Sequence, residues 1–218
     1  NKKIKMDYLS KTIQSYNEQT EWHSAKFEGY DWKEYLERFV RLIGGRKILD
    51  LGCGNGRDLE FFYKQNFDAI GIDYSTKLIK KTRDRLPKVK ILRMNFLKKL
   101  RFEDEEFDGM WASASLLHVP KKSLDNVLLE IKRVLRDNGI LFVSVKVGIG
   151  EKIVKDDHGG GSRFFSFFTK EELEDKLKNF GFDIIESYIL SDDKLRIHFL
   201  KKKTEQNWIV LYCRKKVC

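Results

Sequence analysis

Cysteine is scarce in this chain of 218 residues: Cys53, Cys213 and Cys218 are an odd number without a C-x-x-C pairing. That reads as a reducing, cytoplasmic setting and not as a disulfide framework. No run of about 18 apolar residues occurs, so no membrane span is expected. The opening Asn-Lys-Lys-Ile-Lys-Met has basic residues but no apolar stretch behind them, so it lacks the signal-peptide pattern. Histidine is also sparse, at 23, 118, 158 and 198, with no metal-ligand spacing. Internal repeats and low-complexity tracts are absent.

What is present fits one well-cored domain spanning residues 1–218: 41% hydrophobic residues, 16 of them Phe. The net charge of +10 is unevenly placed. Residues 77–101 hold 11 Lys or Arg against the single acid Asp84, so this segment accounts for the whole excess. Such a strip is either a solvated helix face or a surface that steers a polyanion such as tRNA. A second cluster gathers Lys194, Arg196 and Lys201–Lys203.

The most informative stretch is Arg46-Lys-Ile-Leu-Asp-Leu-Gly-Cys-Gly-Asn-Gly56. Ile48, Leu49 and Leu51 make the short apolar run of a buried parallel strand. Gly52, Gly54 and Gly56 let the backbone turn sharply and approach a ligand, and Cys53 between them is a compact filler. Helical spacing resumes from Arg57 with Leu59, Phe61 and Phe62. The dinucleotide fingerprint G-x-G-x-x-G would need a third glycine where Arg57 stands, so the frame here is G-x-G-x-G. A second strand ends at Asp73, 21 residues after Gly52, where a carboxylate can accept hydrogen bonds from ribose hydroxyls.

Strands at 46–51, 67–72, 88–93, 107–112 and 139–146 alternate with helices at 57–65, 75–86 and 121–135, which requires a parallel sheet with helices on both faces. Ser75 reads as an N-cap and Pro87 as a stop. Asn138-Gly139 reads as a left-handed helix end. Residues 7–43 read as two helical pieces broken near Gly29. Residues 147–163, rich in glycine, read as a mobile loop. Thr169-Lys-Glu-Glu172 has capping-box form, Phe182–Leu190 and Asn207–Arg214 read as strands, and Lys194–Lys203 as an added strand or hairpin extension.

The segments Ile48–Gly56, Gly71-Ile-Asp-Tyr-Ser75, Phe107-Asp-Gly-Met-Trp-Ala112 and Arg133–Val143 together resemble the class I S-adenosylmethionine-dependent methyltransferases, over roughly residues 10–215. The resemblance implies an α/β fold: a Rossmann-like, seven-stranded, mostly parallel sheet with helices on both faces and an antiparallel last strand. It divides the domain into an N-terminal helical lid (1–45), a cofactor core (46–146) and an acceptor side (147–218). It also implies S-adenosyl-L-methionine as cofactor. Asp50 would help hold the amino group, Gly52 and Gly54 the backbone cradle, Asp73 the ribose diol, and Tyr74 and Phe96 the adenine faces. Asn95 stands where an acid usually meets the adenine amine, and Ala112 ends the fourth strand. Tyr16 or Trp22 would close over the sulfonium, with core packing as the alternative, whereas Trp32 reads as core.

On the acceptor side, His118 reads as a general base or a positioning residue. Arg163 reads as a grip on a carboxylate or phosphate or as a loop residue, and Lys146 as a further candidate. The segment Arg163-Phe-Phe with Glu171-Glu-Leu and Asn207-Trp-Ile-Val is similar to wobble-uridine tRNA carboxyl methyltransferases. Three functions stay open: a small-molecule methyltransferase, a tRNA methyltransferase, and a non-catalytic subunit of the same fold that activates a partner.

Overall fold

The computed structural model describes residues 2–155, 161–196 and 206–217. The apolar runs form Lys47–Leu51 (β1), Asp68–Asp73 (β2), Lys90–Arg93 (β3), Phe107–Ser113 (β4) and Leu135–Lys146 (β5), all mutually parallel. Glu151–Lys155 (β6) and Ser162–Ser166 (β7) pair as a separate two-stranded unit. Phe182–Ser191 (β8) and Asn207–Lys215 (β9) complete the main sheet in the order β3-β2-β1-β4-β5-β9-β8. β9 runs antiparallel to both its neighbours. This is the seven-stranded, mostly parallel sheet with an antiparallel last strand that the resemblance implies. Strand order reverses between β1 and β4, so a crevice opens beyond their carboxyl ends.

Eight helices surround the sheet among the described residues: Lys2–Glu18 (α1), Thr20–Glu28 (α2), Lys33–Leu42 (α3), Arg57–Lys64 (α4), Thr76–Arg85 (α5), Lys121–Val134 (α6), Lys170–Asn179 (α7) and the short Asp192–Leu195 (α8). None is long and apolar enough to cross a membrane. Ser75 caps α5 by accepting from Leu78 N at 3.2 Å, and Thr169 caps α7 by accepting from Glu172 N at 3.1 Å. Each such cap contributes about 1 kcal/mol.

Register explains how the core and the site are coupled. Asp50 of β1 lies opposite Trp111 of β4, Trp111 opposite Phe142 of β5, and Phe142 opposite Tyr212 of β9. The Trp111 and Phe142 rings stack 3.7 Å apart, and all three aromatic side chains are fully buried. Each contributes about 2–3 kcal/mol of apolar burial. Because register partners share a face of the sheet, the same row carries Asp50 into that dry layer, where it is only 3% exposed.

Three expectations are corrected. The N-terminal region forms three helices, with an additional break at Gln19 between α1 and α2. Where the glycines of 147–163 point to a mobile loop, residues 151–155 and 162–166 pair antiparallel, with Ile153 opposite Phe164 and Val154 opposite Arg163; residues 156–160 of that stretch lie outside the described residues. Each arm carries an adjacent apolar pair, Ile153-Val154 and Phe164-Phe165, and the ladder between the strands outweighs the flanking glycines. Where Lys194–Lys203 suggests an added strand, Asp192–Leu195 is a helical turn and Arg196 bridges Tyr30. Residues 197–203 lie outside the described residues. The left-handed turn expected at Asn138-Gly139 is present, carried by Asn138 at φ +62°.

The basic strip lies on α5, β3 and the turn beyond, at one sheet edge. Part of it is internally matched: Lys81 pairs with Glu21, Arg85 with Glu28 and Glu60, and Lys80 with Asp84.

Candidate active site

The glycine turn after β1 forms one end of the crevice. Gly52 has φ +86°, and a Cβ there would fall 2.7 Å from the Ser115 Cβ, so only glycine fits. Gly54 N–H donates to Asp73 Oδ2 at 3.0 Å, while Tyr74 N–H and Ser75 N–H donate to Asp73 Oδ1 at 2.7 and 2.8 Å. Asp73 thus ties the end of β2 to the turn after β1. Burial raises its carboxyl above the ordinary value, and the three N–H groups pull it back. Cys53, Tyr74, Asn95 and Phe96 line the same end, and Arg93 lies 4.9 Å over the Tyr74 ring. Asn95 Oδ1 already accepts from Leu97 N at 2.9 Å, which leaves it one further lone pair for a ligand.

Asp50 lies beneath this end without lining it. Its carboxyl is raised well above the carboxylate range by burial, then by the neighbouring Asp58 and Asp73 carboxylates, with Arg57 opposing. Its Oδ2 has no hydrogen-bond partner, nor does the Ser115 Oγ. Ala112 is fully buried and also off the crevice, as is Gly56, which packs against Thr82. Trp22 lies outside the crevice with Lys26 over its ring, whereas Trp32 is both core and crevice wall.

Across the switch point, Tyr16, His118, Lys146, Arg163, Phe165 and Trp208 form the opposite end. His118 Nδ1 is 2.7 Å from the Phe164 carbonyl, which can only accept, so Nδ1 carries the proton. Nε2, 2.7 Å from the Tyr16 hydroxyl, is therefore the acceptor of that hydroxyl's proton. Arg163 Nη1 in turn donates to Tyr16 Oη at 3.2 Å. Burial first, and then the positive charges of Arg163 and Lys146, push His118 down to about 3, against the bond to the Phe164 carbonyl. In this arrangement the His118 lone pair is engaged by Tyr16, which fits the positioning reading of His118 better than the general-base one. The ring holds Tyr16 in place. In a 15N-edited NMR titration, His118 is expected to keep the neutral Nδ1–H form from pH 8 down to about pH 5. Titration near the ordinary histidine value of about 6.5 would contradict this network.

Sequence spacing gave no sign of several supporting contacts. Arg57, which excludes the dinucleotide frame, donates to the Phe27 and Tyr30 carbonyls and to Asp58, clamping the segment after α2 onto the core. Asp58 also accepts from Trp111 Nε1 at 2.9 Å. Asn17 Oδ1 accepts from Ser75 Oγ and Lys77 N at the start of α5, and Thr12 Oγ1 accepts from Phe164 N. Helices α1 and α2 are thereby fastened over the crevice.

Residues 48–139 match the model of a methyltransferase domain family. The chain is 30% identical over 117 residues to the methyltransferase GfsG of Streptomyces halstedii, covering 51% of this chain and 41% of that one. It is 30% identical over 123 residues to the ubiquinone biosynthesis O-methyltransferase of Pasteurella multocida, covering 50% of each. Its fold matches the 1,6-didemethyltoxoflavin-N1-methyltransferase of Burkholderia thailandensis, solved with its substrate and S-adenosylhomocysteine, at TM-score 0.75 and 18% identity over 97% of this chain and 90% of that one. The matched segment is a methyltransferase domain, and the fold is that of the class I S-adenosylmethionine-dependent methyltransferases. The chain spans two-fifths to half of the length of the two curated relatives named.

The family's cofactor is S-adenosyl-L-methionine, and the crevice fits it. The glycine turn leaves backbone exposed to a ligand, Asp50 Oδ2 is an orphaned acceptor beneath it, and Asp73 stands at the strand tip beside aromatic walls. No signal of this kind reaches the wobble-uridine similarity, which nothing in the fold supports further.

Proposed function

We propose that this domain binds S-adenosyl-L-methionine and transfers its methyl group to a small-molecule acceptor. The observation that carries the reading is the two-ended crevice: the Gly52–Gly54–Asp73 corner on one side of the strand-order switch, the Tyr16–His118–Arg163 cluster on the other. When bound, the cofactor supplies an electrophilic methyl on a sulfonium. Asp73 has about four acceptor positions as a carboxylate, three of them filled by backbone N–H groups, so it presents the remainder to the ribose hydroxyls. Tyr74 and Phe96 face the adenine, with Asn95 at its edge. Asp50 answers the positive charge of the methionine part from below. Tyr16 covers the reacting end beneath α1, where a lid that excludes water and holds the partners in line supplies most of the rate enhancement.

A small-molecule acceptor is supported by the curated relatives, whose names include a ubiquinone biosynthesis O-methyltransferase and a 27-O-demethylrifamycin SV methyltransferase. The enclosure of the acceptor end by α1 and the β6–β7 hairpin agrees with it. Calorimetric titration with S-adenosylhomocysteine tests the reading, with NAD as the control ligand. Binding in the micromolar range with no response to NAD is expected. An absence of S-adenosylhomocysteine binding at about 1 mM, weaker than about −4 kcal/mol, would remove it.

A further inference from the structure

One stretch of the crevice wall carries both backbone strain and an unused hydroxyl. Ser113, Ala114 and Ser115 continue from the end of β4 at the strand-order switch, and all three line the crevice. Ala114 has φ +51°, in the left-handed region that alanine rarely occupies. The fully buried Ser144 of β5 holds it there: the Ala114 N–H donates to the Ser144 carbonyl and to the Ser144 Oγ, each at 3.0 Å. The turn sets Ser115 against Gly52, so closely that any side chain at 52 would collide with it. Ser115 also precedes the helical turn Leu116–His118, where a serine hydroxyl ordinarily caps a free N–H. It caps none, and the His118 N–H donates instead to the Ser115 carbonyl at 3.0 Å. The residue is only 5% exposed, and its Oγ has no hydrogen-bond partner. Buried polar atoms are almost always satisfied, so an orphaned one in a ligand crevice points to a partner from outside the chain.

We propose that Ser115 is a further cofactor-binding residue, whose hydroxyl oxygen accepts a hydrogen bond from the ammonium group at the amino-acid end of S-adenosyl-L-methionine. The proposal rests on the methyl-transfer reading and adds a residue to its site. Charge decides for an ammonium over a carboxylate. Asp50, two residues before Gly52 in β1, contributes a second orphaned acceptor, Oδ2. Its carboxyl lies in the field of Asp58 and Asp73, with Arg57 opposing, so a cation is favoured at the turn and an anion repelled. An ammonium carries three N–H donors and no acceptor. It is the complement of a hydroxyl oxygen beside Gly52 and a carboxylate beneath the turn. The left-handed Ala114 and the unpaired hydroxyl are then costs that the empty protein carries and the bound ligand offsets.

The test is calorimetry on Ser115→Ala with three thioethers: S-adenosylhomocysteine, its decarboxylated form, which keeps the ammonium, and its deaminated form, which keeps the carboxylate. A hydrogen bond to a charged group changes affinity by roughly 10- to 100-fold. Both ammonium-bearing ligands should therefore bind at least about tenfold more weakly to the variant than to wild type, and the deaminated ligand within about threefold of it. Thermal unfolding of the ligand-free variant should give a Tm equal to that of wild type or higher, because the hydroxyl removed has no partner there. Unchanged affinity for either ammonium-bearing ligand overturns the proposal. An equal or larger loss for the deaminated ligand overturns it too, since the hydroxyl would not be reading the ammonium. A Tm several degrees below wild type does the same, because the hydroxyl would then be bonded within the fold. A wild-type protein that does not bind S-adenosylhomocysteine at all overturns the methyl-transfer reading instead, so the two failures are distinct.

Discussion

Asp73→Asn is expected to weaken S-adenosylhomocysteine binding by roughly 30- to 1000-fold, equivalent to about 2–4 kcal/mol. The carboxylate accepts from the N–H groups of Gly54, Tyr74 and Ser75. An amide offers one oxygen for these three donors, and its NH2 group has to face at least one of them. Gly54 N–H loses the bond that holds the turn after β1 against β2, while the ribose loses its charged acceptor. Both losses fall on the same ligand, which is why the effect exceeds that of a single hydrogen bond. Calorimetry reads the affinity, and circular dichroism confirms the fold. A dissociation constant within about threefold of wild type would show that Asp73 only shapes the turn.

Asp50→Asn should act in the opposite direction on stability. The Asp50 carboxyl is buried, leaves Oδ2 unpartnered and faces Asp58 and Asp73, so its pKa is raised well above normal. A carboxyl raised in the folded state keeps its proton to higher pH there than in the unfolded chain. The folded state therefore binds more protons, and stability falls as pH rises from the ordinary carboxylate range through the folded pKa. Removing the charge should raise the unfolding free energy of the ligand-free protein above pH 7 by about 1–3 kcal/mol. For a chain of this length that is roughly 2–10 °C in Tm. The same variant should bind S-adenosylhomocysteine at least about tenfold more weakly, because the acceptor beneath the glycine turn is neutral. Thermal unfolding at pH 5 and pH 8 provides the check. A variant less stable than wild type at pH 8 would mean that Asp50 is ionised and well compensated before any ligand arrives.

The strain at Asp50 follows from strand register. One residue of slip would bring Leu49 or Leu51 into the aromatic row and turn Asp50 to the opposite face of the sheet. The row of Trp111, Phe142 and Tyr212 is too well packed to permit it, with the Phe142 and Tyr212 rings 5.1 Å apart. A carboxyl proposed to serve the cofactor is thus kept in an unfavourable place by the same contacts that stabilise the sheet.

Local rules account for what was legible beforehand. The run Ile48–Leu51, the glycines at 52, 54 and 56, and Asp73 act within about 25 residues of one another, and their spacing alone specifies a strand, a turn and a carboxylate at the tip of the next strand. The caps Ser75 and Thr169 likewise act within one helical turn. The strands at 151–155 and 162–166 were not legible because glycine content describes local freedom, whereas the β6–β7 pairing is an interaction between strands.

By itself, the order of residues determined the donor half of this protein: the parallel sheet, the glycine turn and the carboxylate at the tip of β2. Tertiary structure alone decided the acceptor half. His118 reads in sequence as a candidate base, and only the approach of Tyr16, 102 positions away, and the carbonyl of Phe164, 46 away, leaves it neutral and engaged. Arg163 meets Tyr16 across 147 positions. Motifs record what neighbours along the chain do to one another. A proton's position and a cation's reach depend on distances through space, which here are set by how α1 and the β6–β7 hairpin close over the carboxyl ends of β4 and β5.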